Sequence, residues 1–166
     1  MVTGDKVLKI SSEFCLKTHL MLMSGEQGEF ADNMIERTPD GNLHINSYVW
    51  VSLIRRALMR IKDGESYAKE IGKYSPDKNL GVSPLWCEST FVKIPETDIF
   101  SGIKIDSKLG AASVGALYQK ESVPAGLKVR LDFNYFGTIE KLEAFKNIIS
   151  KAFWVIDQGI ETIGSG

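Results

Sequence analysis

A chain of 166 residues, 43% of them hydrophobic, has the length of about one domain and enough apolar content to bury a core. Its formal charge of −1 gives no overall reason to expect nucleic acid, and no apolar run approaches the roughly 20 residues that span a bilayer. Cys15 and Cys87 have neither metal-ligand nor redox spacing, and the first residues lack the pattern of a secretory leader. The expectation is therefore a soluble protein of the reducing cytoplasm, with no membrane partner and no metal on its cysteines.

From residue 6 to 22 the even positions Leu8, Ile10, Phe14, Leu16, Leu20 and Leu22 are apolar and Lys9, Ser11, Glu13, Lys17 and His19 are polar. This period of two predicts a half-buried strand. At roughly 3.3 Å per residue so long a strand must bend or bulge. The following stretch, SGEQGEFADNMIERTPDGNLHI over 24–45, is the most informative part of the chain. It contains a loop with Gly25 and Gly28, the pair Asp32-Asn33, a short apolar step and a Pro39-Asp40-Gly41-Asn42 turn. Such a loop, delivered by a strand, can bring backbone amides and one carboxylate to a polyanion, which points to an RNA-handling site. Charge is unevenly spread around it: 24–40 holds five acids and one arginine, whereas 47–62 holds Arg55, Arg56, Arg60 and Lys62 and no acid.

Residues 47–62 place Trp50, Leu53, Ile54, Ala57, Leu58 and Ile61 on one helical stripe, with Asn46 or Ser47 as the cap and the arginines mostly off it. A helical patch over 65–72 and a turn-rich link over 75–83 lead to a second strand at 85–92. The region 93–126 reads as an elaborated hairpin, broken by Pro95, Gly102, Gly110, Gly115, Pro124 and Gly126, with short strands at 103–105 and 116–118. A third main strand alternates Leu127, Val129, Leu131, Phe133 and Tyr135 against Lys128, Arg130, Asp132 and Asn134. Thr138 then caps a helix carrying Leu142, Phe145, Ile149, Ala152 and Ile156, and Gly159 provides its left-handed stop. The order strand, helix, strand, strand, helix is that of a ferredoxin-like α+β fold short of its last strand. One domain over 1–166 is expected, with an open edge along 6–22 for an adjacent polypeptide or a continuation of the chain.

ADNMIERTPDGNLHI followed by SLIRRAL resembles the DNP, acidic-basic pair, turn, YIPGSS and alanine-leucine-arginine run of the RAMP superfamily, the repeat-associated proteins of CRISPR effector complexes. GIKIDSKLGAASVGALYQKESVPAG looks like the same superfamily's IDR-x-TG-x-A-x-x-G-x-LY-x-x-E-x-VP-x-G segment, and VSPLWCESTFV resembles the strand before its protruding thumb. The resemblance implies a backbone subunit of a type III CRISPR ribonucleoprotein, built on a modified RNA-recognition fold with a thumb-like insertion at about 93–113. The implied partners are guide RNA, target RNA, neighbouring RAMP subunits and other effector subunits. Active members of the family cut target RNA with the aspartate before the asparagine and a divalent metal, and the matching residue here is Asp32. Val51 and Ser52 replace the lysine and glycine at the family's helix start, while Arg55 falls on its arginine. Ser107 stands where an arginine is usual, with Lys108 beside it as a substitute.

Cleavage by attack of a 2′-hydroxyl needs in-line geometry, removal of a proton and stabilisation of charge on the phosphate. One carboxylate can hold Mg²⁺ or Mn²⁺ whose shell is completed by water and phosphate, so a lone Asp32 is compatible with the catalytic and metal-binding role that the resemblance implies. Orientation supplies most of the rate, about 7–11 kcal/mol. Glu26 and Glu29 are either further ligands or solvated carboxylates. The expected RNA-binding set is Ser24, Gly25, Gly28, Asn33, Ser47, Ser52, Arg55, Arg56 and Lys108. Other readings of the same residues stay open. Asp32 can simply cap a turn, with Asn33 bonding the backbone. The arginines can form an ordinary solvated face, and Lys128 and Arg130 fit that role or phosphate contact equally. Trp50, Phe145, Phe153 and Trp154 suit the core better than base stacking. His19 and His44 would be the acid–base pair of a metal-independent precursor-RNA endoribonuclease, active in EDTA. Two readings need no catalysis: a structural backbone subunit, and a dimeric regulatory domain that binds no RNA.

Overall fold

The computed structural model describes residues 6–22, 24, 31–32, 34–71, 83–94, 96–105, 108 and 110–163, with backbone only at 104 and 112–116. In chain order the elements are β1 (Lys6–Cys15), β2 (Leu43–Ile45), α1 (Ser47–Met59), α2 (Glu65–Glu70), β3 (Leu85–Cys87), β4 (Thr90–Val92), β5 (Asp98–Ile105), β6 (Ala112–Ser122), β7 (Lys128–Gly137) and α3 (Ile139–Asp157). They are divided between two compact units, one of Met1–Glu13, Asn46–Thr90 and Arg130–Ile163, the other of Phe14–Ile45, Phe91–Val129 and Gly164–Gly166. Among the described residues no helix is long and apolar enough to cross a membrane.

The first unit is built on a three-stranded sheet in the order β1-β7-β3, which with α1 and α3 gives the split βαβ arrangement of a ferredoxin-like α+β fold. Among the described residues no strand lies outside β1. Alternation in β7 buries Val129, Leu131, Phe133 and Tyr135 completely or nearly so, because the strand is flanked on both sides. In edge strand β1 the corresponding Leu8 and Ile10 stay half-buried. Tyr135 stacks on Phe145 of α3 at 3.7 Å between ring centroids, and Phe133 meets Phe153 edge-on at 6.2 Å. The helix signals act as read: the Asn46 side chain accepts from the Tyr48 amide, Thr138 accepts from the Lys141 amide, and Gly159 takes a φ of 70°.

The turn between α1 and α2 depends on Gly64, which is buried with its amide donating to the Ile61 carbonyl. A Cβ at Gly64 would run into the Leu58 carbonyl oxygen, part of the α1 backbone that cannot yield without unwinding. Gly64→Ala is expected to destabilise the protein by about 1–3 kcal/mol, read as a lower urea midpoint with an unchanged slope.

The strand expected over 85–92 is instead two. Leu85 and Cys87 pair with Tyr135 and Phe133, and the Glu88 amide still donates to the Asp132 carbonyl. At Thr90 the side-chain hydroxyl takes over, donating to the Arg130 carbonyl at 2.5 Å and accepting from Trp50 Nε1 at 2.9 Å. The backbone of β4 is thereby released to pair with β2.

In the second unit the regular part of the first strand ends at Cys15, short of the expected residue 22. The Leu16 amide still donates to the Leu127 carbonyl, the chain bends at 17–18, and Leu20 pairs again with Val123 as an isolated bridge. The expected Pro-Asp-Gly-Asn turn is present: Gly41 adopts a φ of 79° and its amide donates to Thr38, while Arg37 bridges Leu43 across it. β5 and β6 form one antiparallel hairpin running from Asp98↔Ser122 to Ile105↔Ala112. It replaces the two short strands expected at 103–105 and 116–118. Gly102 does not break it because the Tyr118 ring of the partner strand lies over the space a side chain would need.

Candidate functional site

In the second unit the loop stems are held in register by backbone bonds, Ser24 N–H to the Met34 carbonyl at 3.0 Å and Glu36 N–H to the Leu22 carbonyl at 2.9 Å. The Ser24 hydroxyl also donates to Met34. Gly25, Glu26, Gly28, Glu29 and Asn33 lie outside the described residues. Ala31 and Ile35 are buried and fix the returning stem, which leaves Asp32 exposed between them. Its Oδ2 accepts the Gln119 amide of β6 at 2.6 Å. The carboxylate therefore has one oxygen anchored and Oδ1 as its second.

Beneath this stem sits a residue the motif reading left without a role. Glu121, 5% exposed, accepts the Ile35 amide at 3.0 Å on Oε2 and the Thr97 hydroxyl at 2.6 Å on Oε1, and it pairs with Arg37. Burial pushes its carboxyl up, but the bonds from Thr97, Ile35 and Arg37 together outweigh that and hold it below the usual value. Its only sequence signal is its place in LYQKESVPAG.

Both histidines are occupied by carboxylates of the same unit. His19 Nε2 lies 3.1 Å from Asp98 Oδ2, and His44 Nδ1 lies 2.7 Å from Glu36 Oε1. Of the two, His44 lies in β2, whereas His19, within the strand expected over 6–22, falls in the irregular stretch after β1. Lys108 is exposed between β5 and β6. Among the described residues no cluster of three or more His, Cys, Asp or Glu could hold a metal. The Asp32 carboxylate is a hard oxygen donor suited to Mg²⁺ or Mn²⁺ held mainly by phosphate and water, but not to a cage made by protein alone. Cys87, in the first unit, is no alternative ligand, since burial pushes its thiol up to about 12.

The remaining expected contacts, Ser47, Ser52, Arg55 and Arg56, lie on α1 in the first unit. The Ser47 amide donates to Ser89 Oγ and its hydroxyl to Asn46. Arg55 Nε donates to the Ala68 carbonyl at 3.3 Å. Arg56 reaches Glu161 at 2.9 Å, Ser52 Oγ at 2.8 Å and the Thr162 carbonyl at 2.6 Å, and Arg60 takes the other oxygen of Glu161 at 2.8 Å. Those arginines, Arg60 foremost, hold the Glu161 carboxyl below its usual value despite burial. A face without acids along the chain thus acquires one in space, and Arg56 and Arg60 together carry about one unscreened positive charge. On the sheet, Arg130 is paired with Asp132 at 2.8 Å. Trp50 and Phe145 are core residues, while Trp154 is exposed.

No family model and no curated protein sequence matches the chain. Solved structures do. A chain from the cryo-EM structure of type III-B Cmr-beta in the apo state aligns with a TM-score of 0.61 at 11% identity, over 98% of this chain and 92% of that one. A second, from type III-B Cmr-beta bound to cognate target RNA, aligns with a TM-score of 0.56 at 13% identity over 78% of this chain, which spans 47% of it. At such identities the likeness is one of architecture, and the chain shares its ferredoxin-like α+β fold with chains of type III-B Cmr-beta.

Proposed function

We propose that the chain is a backbone subunit of a type III CRISPR ribonucleoprotein, binding guide RNA and cleaving complementary target RNA at Asp32 with a divalent metal. The observation that carries this reading is the fold match over 98% of the chain to a subunit-sized chain of type III-B Cmr-beta. The Gln119 amide orients the carboxylate, and the clamp of Glu121 on Ile35 and Arg37 keeps the stem from drifting. Oδ1 and the exposed position suit a divalent ion shared with phosphate, whose chemistry there would be to stabilise charge on a phosphoryl oxygen. Arg56 and Lys108 would bind RNA backbone, with sequence read by guide–target pairing. In this assembly the protein would work in the cytoplasm.

A non-catalytic backbone subunit is the second reading, and one observation favours it: the bond from Gln119 gives Asp32 a purely structural use. Both readings share a first test. The native protein should co-purify with RNA of guide length and with related subunits, and its binding to single-stranded RNA should weaken steeply with salt, with a slope of about −0.7 for each phosphate neutralised. No RNA binding at low salt would exclude both.

A further inference from the structure

The outward face of the small β2–β4 sheet carries three side chains in a row from neighbouring segments: Glu36, His44 and Phe91. Leu43 and Ile45, on either side of His44, are buried, so the imidazole is directed away from the core. The His44 amide bonds to the Glu36 carbonyl at 3.0 Å, and its Nδ1 is held by the Glu36 carboxylate at 2.7 Å. Backbone and side chain thus fix the ring. Phe91 stacks on it almost parallel, 4.9 Å between centroids with 7° between planes, yet remains 61% exposed. Phe91 is thus backed by an immobilised ring while most of its surface is open to solvent. The exposure alternation of β4 continues to Lys93, which is exposed two residues on.

Given the RNA-binding reading on which it rests, the geometry points to Phe91, backed by His44, as a stacking platform for an unpaired nucleobase, with Lys93 placed for the adjoining phosphate. A flat ring beside the exposed Lys93 ammonium does not suit an apolar protein surface, which would leave that charge unpaired on burial. It does suit a heterocycle attached to a phosphodiester: every base has a π-face, and the charge next to the ring matches the backbone. The Glu36 carboxylate, which would repel phosphate, is turned to the imidazole.

The test uses the full chain and a set of short single-stranded RNAs, each with 2-aminopurine at one position. At one position in the set, binding should quench the fluorescence strongly. Phe91→Ala should abolish that quench and weaken binding about tenfold, a loss typical of a single stacked base. Phe91→Trp should retain both, and His44→Ala, which removes the backing ring, should give an intermediate quench. Should Phe91→Ala bind and quench like the wild type, the platform is wrong while the RNA-binding reading stands. A change in self-association with quenching unaltered would likewise overturn it and assign Phe91 to a protein contact. If the wild type binds none of the RNAs, both the platform and the reading beneath it fail.

Discussion

Asp32→Ala is expected to remove one cut from the regular series made in a complementary target RNA, slowing it by about 10²-fold or more, while assembly and target binding persist. The size follows from removing a ligand whose ion would stabilise several kcal/mol of developing charge, at about 1.4 kcal/mol per factor of ten. Asp32→Asn makes the test decisive. Its side-chain carbonyl can still accept the Gln119 amide, so it retains the anchor and loses only the negative charge. Equal loss in both variants supports an Asp32 that holds metal. Wild-type cutting by Asp32→Asn would mean that the carboxylate only ties its loop to β6, and the chain would then be a structural subunit. Chelation should act in the same direction as the substitution, since cutting that persists in EDTA cannot depend on Mg²⁺ or Mn²⁺.

The largest effect on stability should come from Glu121→Ala, about 3 kcal/mol at neutral pH by urea unfolding. Breaking a buried ion pair costs about 3–5 kcal/mol. The low end applies here because the Arg37 side chain is 32% exposed and can turn to water. The Ile35 amide and the Thr97 hydroxyl lose their acceptor in the same step, so hydrogen exchange at Ile35 should accelerate and Asp32 should be held less firmly. An unchanged midpoint would show that the clamp contributes nothing. The carboxyl also sets a pH dependence. Its folded value is depressed below the ordinary 4.5, so its stabilisation is fully present above that value and is lost as pH falls through the lower, folded one. Asp132 and Glu161 are shifted in the same direction, Asp132 chiefly by the bond from Ser11, and Glu161 by Arg60. Acid unfolding should therefore begin below about pH 4.5 and be more gradual in Glu121→Gln, which has no carboxyl to protonate.

Residues that act on near neighbours could be read directly. The alternation of β7 and the stripes of α1 and α3 arise from backbone geometry that repeats every few residues, and the caps Asn46 and Thr138 bond only two and three positions away. Gly41 and Gly159 adopt positive φ for equally local reasons. Asp32 was identifiable as a candidate because its motif is contiguous. Pairing across long separations could not be read in this way. The division of 85–92 into β3 and β4 follows from one Thr90 hydroxyl bonded 40 residues away, and the continuity of β5 follows from a Tyr118 ring that lies over Gly102. Glu121 reaches Ile35 across 86 residues, and Glu161 reaches Arg56 across 105, which turns an acid-free stretch of chain into a half-neutralised surface. The helices, β7 and the Gly41 turn were thus legible from composition and spacing, because short-range sterics and hydrogen bonding set them. Which carboxylate clamps the Asp32 stem, which one offsets the arginines, and which aromatic ring is left open became defined only on folding, when side chains remote along the chain competed for the same few partners.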